Sequence, residues 1–223
     1  MPIMNEDTSS KVKEALQGLE EAVHILLFTS KKNCDLCNET KAILDEIVAL
    51  SEKVSYEALD IDEAKEAVVE HRIDKVPAMV LSRGTQKEHR TVGIRFFGIP
   101  AGYEFTSLLE AILSVSKGKS GLSEEGKEYL KGLKKDIHIQ VFVTPSCPYC
   151  FPAVILAHQM ALESDRITAD MVEAEEFPSL AIKYKVMGVP RTVVNETHHQ
   201  EGAAPERMIM DLIKKAETEG ARP

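Results

Sequence analysis

A chain of 223 residues with 43% hydrophobic and 28% charged side chains has the make-up of a soluble globular protein long enough for two ordinary domains. Its formal charge of −9, with no cluster of Lys and Arg, argues against nucleic acid, because a phosphate backbone is held by clustered cations. The longest apolar run, Ala22–Phe28, falls well short of the roughly 20 residues that span a bilayer. The N-terminal stretch MPIMNEDTSSKVKEAL has no basic region leading into an apolar one, so a cytoplasmic home without membrane contact is expected.

In chain order, Ser9 or Ser10 is expected to cap a first amphipathic helix that closes near Gly18. Val23–Phe28, short and rich in branched residues, reads as a buried strand. Cys34-Asp-Leu-Cys37 then opens a helix over roughly 34–50, followed by a strand near 54–59 and a helix near 63–71, with Asp62 and Glu63 at its start. A strand at 78–81 follows Val76-Pro77 and runs into a hairpin over 82–95, its turn expected at Gly84. A helix over 105–113 leads to Gly118-Lys-Ser-Gly121, the expected boundary between units. Ser123, backed by Glu124 and Glu125, is expected to cap the next helix, which closes near Gly132. A strand at 137–143 precedes Cys147-Pro-Tyr-Cys150, which opens a helix over 147–162. A strand at 167–172, a helix at 177–184, a strand at 192–194, a short hairpin over 195–202 and a helix at 206–216 complete the chain.

The same order occurs twice. KEALQGLEEAVHILLF, residues 13–28, and KEYLKGLKKDIHIQVF, residues 127–142, agree at half of their positions without a gap. The spacing from Cys34 to Pro77 equals that from Cys147 to Pro190, and a valine precedes each proline. Repeats of this length mean copies of one structural unit. The fold expected is α/β, a tandem repeat of two units over 1–118 and 119–223, each a mixed sheet with helices on both faces.

All four cysteines fall in two Cys-x-x-Cys pairs, which in an intracellular chain points to redox or metal chemistry. Three residues apart on a helix, two side chains share one face, close enough for a disulfide to open and close without unfolding. A first cysteine at the helix start sits beside unpaired backbone N–H groups and the positive dipole end, which favours the thiolate that attacks. The second, deeper in the helix, is placed to resolve a mixed disulfide. Pro148 suits a first helical position, whereas Pro152, four residues on, is expected to distort the second turn.

Strand, Cys-x-x-Cys, helix and a later Val-Pro resemble the thioredoxin superfamily, and Cys-Pro-Tyr-Cys resembles the glutaredoxins within it. Two such units in one chain resemble the glutaredoxin-like protein disulfide oxidoreductases. That resemblance covers nearly the whole chain. It implies a thiol–disulfide oxidoreductase with nucleophiles Cys34 and Cys147 and resolving cysteines Cys37 and Cys150. It also implies cis prolines Pro77 and Pro190 facing the cysteines, and substrate pairing with the backbone of Val76 and Val189. No cofactor is implied beyond the redox-active disulfides, and the partners implied are protein disulfides and dithiols, with a thioredoxin-reductase-like flavoprotein as a candidate electron source. The chain departs from thioredoxins in having no tryptophan, and in placing Phe28 and Val141 where they keep a buried acid. It departs from glutaredoxins in Lys75-Val-Pro and Gly188-Val-Pro, and in lacking the later Gly-Gly with acidic residues that serves glutathione.

Other readings stay open on the residues. Four thiolates could form a zinc site, though zinc ribbons place their pairs about 15–20 residues apart and most of a repeat intervenes here. Inert structural pairing is a second alternative, and an electron-relay or docking module serving a separate flavoprotein reductase or peroxidase is a third. His24 and His138 read as packing or edge residues, and His198-His199 as a solvated loop.

Overall fold

A computed structural model describes residues 3–219. The elements run α1 (Glu6–Leu16), β1 (Val23–Thr29), α2 (Cys37–Val48), β2 (Val54–Asp60), α3 (Lys65–Glu70), β3 (Ala78–Thr85), β4 (Glu88–Phe97) and α4 (Tyr103–Lys117). They continue α5 (Glu124–Lys131), β5 (Ile137–Val143), α6 (Cys150–Glu163), β6 (Ile167–Glu173), α7 (Pro178–Lys183), β7 (Arg191–Val194), β8 (His198–Glu201) and α8 (Glu206–Glu219).

Strand order is β2-β1-β3-β4-β6-β5-β7-β8 in one 8-stranded sheet. Within each half a parallel pair, β1 with β2 or β5 with β6, meets an antiparallel run, β1-β3-β4 or β5-β7-β8. The halves join head to tail through parallel pairing of Ile94–Phe97 with Ala169–Val172. Alternation along the strands divides the core between the two faces. Val23, Ile25 and Leu27 of β1 belong to the larger cluster, which includes side chains of α1, α2, α4, α5, α6 and α8. Leu26 and Phe28 belong to the smaller one, packed by Ala67, Val68 and Leu180 around α3 and α7. The repeat therefore builds a mixed α/β sheet clothed on both faces, and the sheet passes through both copies without a break.

Several local expectations are corrected. Asn5, not Ser9 or Ser10, caps α1, its side chain accepting the Thr8 N–H at 2.8 Å. Gly84 lies inside β3 at a φ of 121° opposite His89, and the hairpin turns at Gln86-Lys87. A side chain at Gly84 would strike the Glu88 carbonyl oxygen, so glycine is needed there for strand approach. His198 and His199 are not loop residues: they form β8 with Gln200 and Glu201, after a turn in which Asn195 and Glu196 adopt positive φ. Ser123 does cap α5, accepting the Gly126 N–H at 3.1 Å.

The join between halves is held by more than backbone. Arg95 of β4 clamps Asp170 of β6 with both arms, at 2.7 and 2.8 Å, and donates to the His71 carbonyl at 2.8 Å. His138 Nε2 lies 2.6 Å from the same carboxylate. Burial alone pushes the Asp170 carboxyl up, yet His138 and Arg95 together overcome it and hold it down to about 2. Gly93, with φ of 66°, allows the strands to meet, because a Cβ there would collide with the Ile167 carbonyl oxygen.

Candidate functional site

Each Cys-x-x-Cys lies where a strand of the sheet ends and a helix begins. The helices start at the second cysteine of each pair, Cys37 and Cys150, so the first cysteine occupies the preceding turn. This corrects the expected helix starts at Cys34 and Cys147. The free N–H groups of the first helical turn still point toward the motif, so the electrostatic argument for a thiolate survives the shift. Pro152 now falls in the first turn of α6, where no intrahelical donor is required, and the expected distortion has no cause.

Both pairs are closed as disulfides, Cys34 to Cys37 and Cys147 to Cys150, each with a Cα–Cα distance of 5.5 Å. Cys37 and Cys150 are 6% and 0% exposed, while Cys34 is half-buried and Cys147 is 9% exposed. In both pairs the first sulfur is the one that solvent reaches. The Val76–Pro77 and Val189–Pro190 peptide bonds are cis. Cys147 Sγ lies 3.7 Å from the Val189 carbonyl oxygen, which brings the proline segment and the motif together in the second half. Among the described residues no three His, Cys, Asp or Glu side chains gather where a metal could be held, so the fold does not assemble the four thiolates into one site.

Asp62 and Glu63 precede α3 rather than opening it, Ala64 being its cap. They hold the loop before Cys34 by ion pairs, Lys32 to Asp62 at 3.0 Å and Lys31 to Glu63 at 2.5 Å, while Asp60 accepts the Lys31 N–H at 3.0 Å.

The second site has a feature that its own half does not provide. Helix α4, from the first half, abuts the motif loop: the Tyr103 N–H donates to the Pro145 carbonyl at 3.0 Å, and the Tyr103 ring stacks on Phe151 with centroids 6.3 Å apart. The next residue, Glu104, is fully buried, and one carboxylate oxygen accepts the Ser107 hydroxyl at 2.6 Å while the other has no partner. Burial pushes its carboxyl up to about 7 against the pull of Ser107. Glu173 and Glu176, at and beyond the end of β6, are also raised by burial, Glu176 to about 6, and Glu176 accepts the Ile99 N–H at 2.6 Å. Sequence reasoning missed Glu104 because a lone acid in the first turn of a helix is ordinary dipole compensation. The signal available was its apolar company, YEFTSLLEAI.

Known proteins of this shape bear on the chemistry. The crystal structure of a protein disulfide oxidoreductase from Aeropyrum pernix superposes with a TM-score of 0.88 and 30% identity, over 98% of this chain and 96% of that one. The chain belongs to the protein disulfide oxidoreductases. It is thus a thiol–disulfide oxidoreductase of thioredoxin fold with two Cys-x-x-Cys centres. The thioredoxin domain family matches residues 137–214. The N-terminal domain of the alkyl hydroperoxide reductase AhpF from Enterococcus faecalis shares the fold, with a TM-score of 0.86 and 24% identity over 93% of this chain and 98% of that one. The complete AhpF-type alkyl hydroperoxide reductase of Staphylococcus epidermidis is 25% identical over 213 residues, 96% of this oxidoreductase, which spans 38% of that relative's length. No helix among the described residues is long and apolar enough to cross a membrane.

Proposed function

We propose that both centres exchange disulfides with protein substrates, Cys34 and Cys147 attacking and Cys37 and Cys150 resolving. The observation that carries this reading is the shared order of burial, in which solvent reaches the first sulfur of each pair ahead of the second. From the reduced state, the Cys147 thiolate attacks a substrate sulfur, a mixed disulfide forms, and the first substrate sulfur leaves as thiolate and takes up a proton. Cys150 gives up its proton and attacks Cys147 Sγ; the enzyme disulfide closes and the second substrate thiolate departs. Two electrons pass to the substrate. Glu104 is the group suited to hold the Cys150 proton, being buried beside the motif loop, uncharged at neutral pH in part, and with one oxygen unpartnered. The backbone of Val76-Pro77 and Val189-Pro190 receives the substrate chain, supported by the approach of Val189 to Cys147.

The units proposed are 1–118 and 119–223. The partners are protein dithiols and disulfides, the redox groups are the protein's own cysteines, and the compartment is the cytoplasm, a reading supported by the confinement of all four cysteines to redox pairs. A second reading, relay of electrons between a flavoprotein and an acceptor, is favoured by the likeness of almost the whole chain to part of an alkyl hydroperoxide reductase. Insulin reduction by the prereduced protein tests the exchange reading: it is expected in the wild type and lost in Cys34→Ser/Cys147→Ser. Undiminished turnover in that double variant would overturn the assignment of nucleophiles.

A further inference from the structure

The surfaces around the two centres differ in kind. Beside Cys34 stand Lys31, Lys32 and Asp35, all exposed, and the segment leading to Pro77 contributes Asp74 and Lys75. Lys75 lies over the Phe97 ring at 3.8 Å and pairs with Asp74 at 2.6 Å, so the charge that side presents to solvent is chiefly the Asp74 carboxylate. At the second centre the loop Thr144-Pro145-Ser146 and the residue after Cys147, Pro148, carry no charge, and Met187 and Gly188 replace Asp74 and Lys75. Met187 is 90% exposed and Tyr149 is 70% exposed, two of the largest apolar surfaces that the described chain shows to water. The contrast is local. Val69 of α3 and its counterpart Ile182 of α7 are exposed alike, so the second half is not simply more apolar than the first.

Large side chains left bare in this way mark contact surfaces when they flank a site. They flank one here: Met187 is two residues from Val189, whose carbonyl lies 3.7 Å from Cys147 Sγ, and Tyr149 lies between the cysteines themselves. An occupant that brings a sulfur to Cys147 must cross this rim, and its flanking residues meet Met187 and Tyr149 with no protein charge at the matched positions to pair with. We propose that the Cys147–Cys150 centre is selective for cysteines in extended, apolar polypeptide, the kind exposed by an unfolded chain, whereas the Cys34–Cys37 centre lacks this preference. The proposal rests on the disulfide-exchange reading and names its substrate class at one of the two centres.

The test uses the full chain with one centre removed at a time, Cys34→Ser/Cys37→Ser or Cys147→Ser/Cys150→Ser, reduced beforehand. Each protein is mixed with two decapeptides whose single cysteine is joined by a disulfide to a nitrobenzoate reporter. One peptide has Leu, Val and Phe about the cysteine, and the other has Asp and Lys. Attack and resolution oxidise the enzyme dithiol and release the peptide thiol and the coloured reporter thiol. Partial burial of a large apolar side chain corresponds to about 10-fold in rate constant, so the protein retaining Cys147 should favour the apolar peptide by about 10-fold. The protein retaining Cys34 should show less than about 3-fold preference. Met187→Asp/Gly188→Lys, added to the first protein, should lower its preference to that level. Both positions are exposed, and a Cβ at Gly188 meets nothing within 4 Å, so folding does not confound the comparison. Equal ratios at the two centres, or a ratio unmoved by Met187→Asp/Gly188→Lys, would overturn the selectivity alone. Failure of either centre to react with either peptide would overturn the exchange reading and the selectivity with it.

Discussion

Replacing Glu104 by Gln should change how stability depends on pH, with the sign fixed by the direction of its shift. The folded chain holds this carboxyl up at about 7, against 4.5 for an unperturbed one. Between those values the folded state keeps a proton that the unfolded state has released, so stability is full below about pH 4.5 and is lost as pH rises through about 7. One pKa unit is worth about 1.4 kcal/mol, so the loss is on the order of 3 kcal/mol. Glutamine keeps the shape and the Ser107 partner but cannot ionise. Urea unfolding of the oxidised wild type and of Glu104→Gln, followed from pH 4 to pH 8, should therefore show the variant gaining on the wild type by up to about 3 kcal/mol as pH rises. Any constant penalty for the amide shifts the curve without tilting it. Glu173 and Glu176 titrate in both proteins and cancel from the difference. Parallel curves across the range would refute the reasoning, because they would mean that Glu104 ionises as freely in the fold as in the unfolded chain.

Asp170→Ala should destabilise the protein by about 3–5 kcal/mol, since it leaves the buried Arg95 guanidinium without its carboxylate. Thermal melts read this, and adding Arg95→Met should restore part of the loss. The Cys147–Cys150 pair should be the more oxidising by on the order of 30 mV, because exposed Asp35 and Glu39 oppose a Cys34 thiolate while Pro148 and Pro152 stand at the matching positions. Lys31 and Lys32 do not cancel that effect, being engaged by Glu63 and Asp62; potentials measured with one pair present at a time, then with Asp35→Pro, decide the order and its cause. Halves 1–118 and 119–223, expressed apart and mixed, should reassociate through the β4–β6 edge, and Arg95→Ala should weaken that association in a pull-down. Two halves that stay apart would show that the edge and its ion pair contribute little.

The sequence by itself determined the elements and their repetition. Short apolar runs such as VHILLF and IHIQVF become strands wherever they are placed, since their side chains cannot be left in water, and a cysteine pair at a spacing of three can close locally whatever lies around it. Equal spacing from each pair to a later Val-Pro was legible for the same reason. Local signals failed where competing partners were close by. Asn5 displaced two serines as the cap of α1, and Gly84 served strand approach instead of a turn. Tertiary structure alone decided the rest. Asp170 interrupts the apolar strand ITADMVE, and Arg95 sits among GIRFF. Neither shows in its own strand that the other neutralises it across the joined sheet, because their contact spans 75 positions of chain. Glu104 is likewise an ordinary acid until α4 is laid against α6. Its charge is unfavourable only because that packing removes water from both sides, and desolvation is a property of assembled surfaces that no single segment carries.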